Sequence, residues 1–154
     1  MSEFVPGAPT GYIRLLREIA GVFLRRKVEA KFHSASIPAG EESTMAELDG
    51  PGVLEFVIFT VVGSSTDARK SRVVVERDGE RIEYPTIQEV GWTTGSWNTP
   101  KIFVSGWDDS AYSYSMGLEL SMGFRKSCVV KIANGDQANG VSCNCIVMHA
   151  KVEG

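Results

Sequence analysis

Histidine is scarce in this 154-residue chain: there are two, His33 and His149. Neither belongs to a His-x-His or His-Glu-x-x-His pattern, so the ligand clusters of metal hydrolases and cupin-type sandwiches are missing. Both are read as ordinary surface or edge histidines. Cysteine is limited to Cys128, Cys143 and Cys145, an odd number without zinc-ligand spacing. Cys143 and Cys145 stand two apart on one strand face, where a relaxed disulfide does not close easily. All three are expected as reduced, buried core residues. No GxxxxGK or GxGxxG opens a helix, which removes the usual phosphate cradles. No segment approaches the roughly 18 apolar residues that span a membrane. The start, "MSEFVPGAPTG", lacks a basic region followed by an apolar run, so no export signal is expected and synthesis is placed in the cytoplasm. The formal net charge of -3 gives no case for nucleic acid.

Acids are present, but not in a catalytic pattern. Glu41-Glu42 and Asp108-Asp109 are the visible pairs. A glycoside hydrolase needs two carboxylates roughly 5 to 9.5 Å apart across a cleft, and neighbours on one loop do not form that geometry. The expectation is therefore a non-enzymatic protein with no catalytic residue, no metal and no cofactor.

What the chain does contain is a change of period. Its length suits a single domain of the common size, and 43% hydrophobic residues support a core. Residues 1–27 read as an extended Pro/Gly arm followed by a helix capped by Thr10. Tyr12, Leu15, Leu16, Ile19 and Phe23 fall on one face at three-and-four spacing, and Ile13, Ala20 and Leu24 widen the stripe. So wide a stripe has to pack on something. Residues 1–32 hold six basic and three acidic side chains, with Arg25, Arg26, Lys27 and Lys31 clustered near the helix end. These cations either complement a helix C-terminus or form a docking arm for an acidic partner surface. The candidate docking residues are Tyr12, Leu16, Ile19, Phe23, Arg25 and Arg26.

From Val28 the period is two, and residues 28–154 are read as a β-sandwich domain. Val28, Ala30 and Phe32 alternate with charged residues, "SIPAG" turns the chain, and Thr44, Ala46 and Leu48 continue to the "DGPG" corner. Val53 to Val62 follows as a strand apolar on both sides: Leu54, Phe56, Ile58, Thr60 and Val62 on one, Val53, Val57, Phe59 and Val61 on the other. A strand of that kind is covered on both sides. Arg72–Arg77, an Asp78-Gly79 type I′ turn and Glu80–Tyr84 predict a hairpin. Residues 85–110 read as irregular. Tyr112 to Leu120, Phe124 to Ile132 and Val141 to Met148 complete eight to ten strands without a βαβ rhythm or an internal repeat. By layer rules this is an all-β, antiparallel β-sandwich with one N-terminal helix. Jelly-roll topology is expected first, an immunoglobulin-like sandwich second.

All three tryptophans lie in "GWTTGSWNTPKIFVSGWDDSAYSY". Trp92, Trp97, Trp107, Tyr112 and Tyr114 offer flat apolar faces beside hydrogen-bonding groups. Three readings apply: core filling under long loops, a protein interface, or a glycan site.

Two resemblances carry functional expectations. Leu118, Leu120, Phe124, Lys126, Val130, Ile132, Asn134, Gly135, Val141 and Ile146, within residues 112–152, resemble the closing strands of β-sandwich virion proteins of tailed phages. The stretch "GEESTMAELDGPGVLEFVIFTV" is similar to the corner of a jelly-roll family of glycan-active proteins whose trimers resemble viral coats. No catalytic glutamate of that second family matches this chain. Together they imply a small, trimer-forming jelly roll in a virion, such as a capsid decoration or minor capsid protein. Its partners would be copies of itself and a major capsid or other virion protein, with no nucleic acid and no membrane. A carbohydrate-binding module or receptor-binding tip, with a glycan partner, is the alternative.

Overall fold

In a computed structural model, residues 28–92 and 101–152 are described. The alternation that begins at Val28 becomes nine strands: β1 Val28–Ile37, β2 Glu42–Asp49, β3 Gly52–Val62, β4 Arg72–Arg77, β5 Glu80–Glu83, β6 Ile102–Asp108, β7 Ser113–Phe124, β8 Ser127–Ala133 and β9 Val141–Lys151. A 3-10 turn, Thr66–Lys70, follows β3, and a short helix, α1 Ile87–Trp92, precedes β6. The arm and helix read in residues 1–27, with Tyr12, Leu16, Ile19, Phe23, Arg25 and Arg26, lie outside the described residues. So does Trp97.

The strands form two antiparallel sheets, β1-β9-β3-β7-β6 and β2-β8-β4-β5. Their pairing is nested. β4 and β5 form the innermost hairpin, and outside it β3 pairs β7, β2 pairs β8 and β1 pairs β9. One long hairpin rolled into two sheets is the jelly roll expected from the sequence, with β6 added beside β7. The apex is the tight turn anticipated there: Asp78 and Gly79 both have positive φ, 50° and 86°, as a type I′ turn requires.

The core lies between the sheets. Leu54, Val57, Phe59 and Val61 of β3 meet Val73 and Val75 of β4 and Val130 and Ile132 of β8. This phase corrects the sequence reading of β3. The register slips between Leu54 and Phe56, a bulge at Glu55, so Leu54 joins the buried set and Phe56 and Ile58 face outward. Inserting one residue exchanges the faces beyond it. A second bulge, between Thr44 and Ala46, buries both Met45 and Ala46.

Two further boundaries differ from the reading. Phe124 ends β7 instead of opening the next strand. The irregular stretch contains α1, which plugs one end of the core with Ile87 and Val90, and the edge strand β6. Among the described residues no helix is long and apolar enough to cross a membrane.

Candidate interaction surface

The two outer faces of the sandwich differ in chemistry. On the four-stranded sheet, outward charges are interlocked. Arg81 grips Glu42 with both terminal nitrogens and reaches Glu83 at 3.0 Å. Lys131 binds Glu76 at 2.8 Å, and Arg72 spans Glu83 and Glu89 at 3.5 Å each. The Arg81 hydrogen bond holds the Glu42 carboxyl below its usual range, and Glu42 in turn raises Arg81. Exposed pairs of this kind contribute little stability each, but they leave a face that is well satisfied in water.

The five-stranded sheet presents the opposite. Cross-strand register sets Phe32 of β1 opposite Ile146 of β9, Ile146 opposite Ile58 of β3, and Ile58 opposite Gly117 of β7, which faces Phe103 of β6. Partners directly opposite in a ladder share a face, so these residues make one apolar row across all five strands. Gly117 permits it: a Cβ there would stand 2.6 Å from the Phe103 ring. The next row adds Met148 and Phe56, whose ring centre lies 6.2 Å from that of Phe103. Phe32 is 69% exposed and Met148 37% exposed. A polar row bounds the patch, where Ser34 donates to Asn144 at 2.6 Å and Thr60 meets Ser115 at 2.7 Å.

The patch ends at β1, an edge strand with no described strand on its far side. An edge of ten residues beside an apolar face is a template for association. The sequence signalled this face through the two-sided β3. It hid the row itself, because Phe32, Ile146, Ile58 and Phe103 are brought together by register alone.

The aromatic candidates form a second cluster, with a hub that was missed. Arg69, in the 3-10 turn after β3, places its guanidinium 4.6 Å from the Trp92 ring centre and 5.6 Å from that of Trp107. Trp107 and Tyr114 pack edge to face at 5.2 Å. Their polar ends meet on one carboxylate: Tyr114 O–H donates to Asp109 at 2.7 Å and Trp107 Nε1–H at 3.0 Å. These bonds hold Asp109 below its usual range, while burial first and Asp109 second push Tyr114 up to about 12. Tyr114 is fully buried, and Tyr112, at φ 52°, is half-buried against the core. Trp92 alone of the described four is well exposed.

His149 corrects the surface reading. It belongs to the inward set of β9, is 6% exposed, and its Nε2 has no hydrogen-bond partner. It lines a small cavity of about 180 Å³ with Glu29, Lys31, Glu47, Asp49 and Lys151. Burial lowers its pKa, with Lys31 adding to the effect. His33 is exposed on the edge strand, as read. Cys128, Cys143 and Cys145 are buried free thiols.

The remaining perturbed carboxylates serve the backbone. Asp78 accepts from three consecutive backbone N–H groups, Arg125 to Ser127. Asp108 accepts from Ser110 and Ala111. Burial opposes ionisation of Asp136, but donors from Ala138, Asn139 and Ser65 outweigh it and lower its pKa. Among the described residues, no group of three or more His, Cys, Asp and Glu is placed to hold a metal.

No protein-family model matches the chain, and no curated protein does. Among solved structures, the chain is similar to one from the Cyanophage Pam1 capsid asymmetric unit, at 13% identity and TM-score 0.44, covering 82% of this chain and 86% of that one. It is also similar to a chain of the Aeromonas sobria serine protease–chaperone complex, at 9% identity and TM-score 0.44, covering 91% of this chain and 30% of that one. A third likeness is to Bacillus endospore appendages, disulfide-linked pili, at 12% identity and TM-score 0.36, covering 84% and 92%. At these identities and TM-scores none of the three lends a function to this chain.

Proposed function

We propose that this protein is a non-enzymatic structural component of a virion, a capsid decoration or minor capsid protein that self-associates through its β-sandwich. The observation that carries this reading is the contrast between the two outer faces. One is dressed in interlocked ion pairs, and the other bears the Phe32–Ile146–Ile58–Phe103 row beside an open edge strand. Assemblies need such surface and no reactive groups. The carboxylates with lowered pKa support the non-enzymatic part, because they are engaged in backbone and side-chain hydrogen bonds that hold turns and loops. A closed ring, a trimer first, would cover the row symmetrically. The basic residues Arg25 and Arg26 would then be the contact to an acidic coat-protein surface.

Light scattering after size exclusion tests the reading. The full chain should run at a multiple of 16.8 kDa, and Phe32→Asp should run as a folded monomer with unchanged circular dichroism. A monomeric wild type, or a Phe32→Asp variant of unaltered oligomeric mass, overturns it. Incubation with cognate capsids, read by electron microscopy, should add regular surface density if the protein decorates them.

A second reading, a glycan-binding module, is favoured by exposed Trp92 alone. Loss of glycan-array binding in Trp92→Ala would support it, and an array without signal would remove it.

A further inference from the structure

Resting on the reading of the five-stranded face as an interface, we propose that its occupant is residues 10–24 of a second copy of this chain. The face is broad and shallow and spans five strands, four spacings of about 4.8 Å, or ~19 Å from β1 to β6. The segment from Thr10 to Leu24, whose sequence predicts a helix, would be ~22 Å long at 1.5 Å per residue. Its stripe of Tyr12, Leu16, Ile19 and Phe23 would run ~17 Å, close to the width of the sheet. A helix lying across the strands would set that stripe along the apolar row. The row's own spacing, one side chain on each strand except β7 with its Gly117, suits a helix that offers one apolar side chain each turn of 5.4 Å.

The position of the segment in the chain argues for a neighbouring copy. Arg25, Arg26 and Lys27 are all that separate Leu24 from Val28, the first residue of β1 paired to β9. Four Cα–Cα steps join Leu24 to Val28 and reach ~14 Å at full extension. Folding back over its own sheet would have to make both the ~10 Å climb between packed layers and the reversal of direction within those three residues. The three are like-charged, and none is glycine or proline, so the hinge favours extension over a tight turn. Short hinges of this kind are where an element exchanges between copies. Exchange around a ring would also cover every face with an identical segment, so no row is left bare.

Full-length variants separate the possibilities. Leu16→Glu with Ile19→Glu should raise the apparent dissociation constant of the oligomer by at least ~30-fold, as for interface hot spots. In a 1:1 mixture of Ile19→Cys and Ile58→Cys chains, mild oxidation should give a disulfide-linked pair of the two variants. An oligomer that Phe32→Asp dissociates, but that resists the double glutamate variant and gives no mixed crosslink, overturns this assignment and leaves the interface reading standing. A monomeric wild type overturns both. A monomer in which Ile19→Cys and Ile58→Cys in one chain crosslink internally places the segment on its own sheet and overturns the exchange.

Discussion

The Asp78 carboxylate accepts the backbone N–H of Lys126 at 2.7 Å, and so fastens the β4–β5 turn to the corner between β7 and β8. Arg125 and Ser127 donate to the same carboxylate at 3.0 and 3.1 Å. These three donors lower its pKa from 3.8 to about 2. The folded form thus prefers the ionised acid: the stabilisation is present above pH ~4 and is lost as pH falls towards 2. Asp78→Asn, which tolerates the positive φ, should lose the part of the acid-unfolding transition that lies between those values. Asp78→Ala should melt several degrees lower at neutral pH as well, since it also strains the turn. An acid transition identical in wild type and Asp78→Asn would contradict this.

The bulge at Glu55 gives a second expectation. Leu54 is fully buried, whereas Phe56 is half-buried on the outer face. Leu54→Ala should cost ~2–5 kcal/mol, as a large-to-small change in a packed core does. Phe56→Ala should cost less, under ~2 kcal/mol, because only part of its surface leaves water. Urea unfolding in the monomeric Phe32→Asp background reads both without a contribution from self-association. Equal losses would restore the simple alternation of the sequence.

That pair of residues also shows where sequence reading reaches and where it stops. Period-two patterning identified β3 as two-sided and the Asp78-Gly79 turn as a hairpin, because both are local properties. The nested pairing was anticipated as a jelly roll from strand number and irregular connections. A bulge inserts one residue without changing composition, so the side of Leu54 was misassigned. Arg69 was passed over because its value lies in two rings distant in sequence, Trp92 and Trp107. His149 was misread because its neighbours in sequence, Met148 and Ala150, do not report that it faces inward near Lys31 and Glu47.

His149 should make the fold sensitive to mild acid. Burial first, then Lys31, depresses its pKa, while the unfolded chain takes up the proton near pH ~6.5. The unfolded state therefore binds more protons, and stability falls as pH drops below ~6.5. Glu29 acts in the opposite sense and Lys151 in the same sense as Lys31. The urea midpoint of wild type should decline between pH 7 and pH 5, and His149→Leu should decline less. Parallel decline in both proteins would rule out a contribution from this imidazole.

The thiols should be inert until the fold opens. Burial pushes Cys128 up to about 11 and Cys143 and Cys145 up to about 12, so thiolate is scarce at neutral pH. A chromogenic disulfide reagent should label none of the three in the native protein and all three in urea. Rapid labelling of Cys143 without denaturant would show that β9 opens locally.

Strands β1 and β9 run side by side along their whole length, Val28 opposite Ala150 and Ile37 opposite Val141. Val28 and Lys151 therefore emerge next to each other at one end of the sandwich. Tension applied between those two points loads the ladder as a zipper and not in shear, because its hydrogen bonds run across the strands and meet the force one rung at a time. The sandwich is therefore mechanically soft along this line. Force applied there would peel β1 from β9 one pair at a time, starting at Val28 and Ala150.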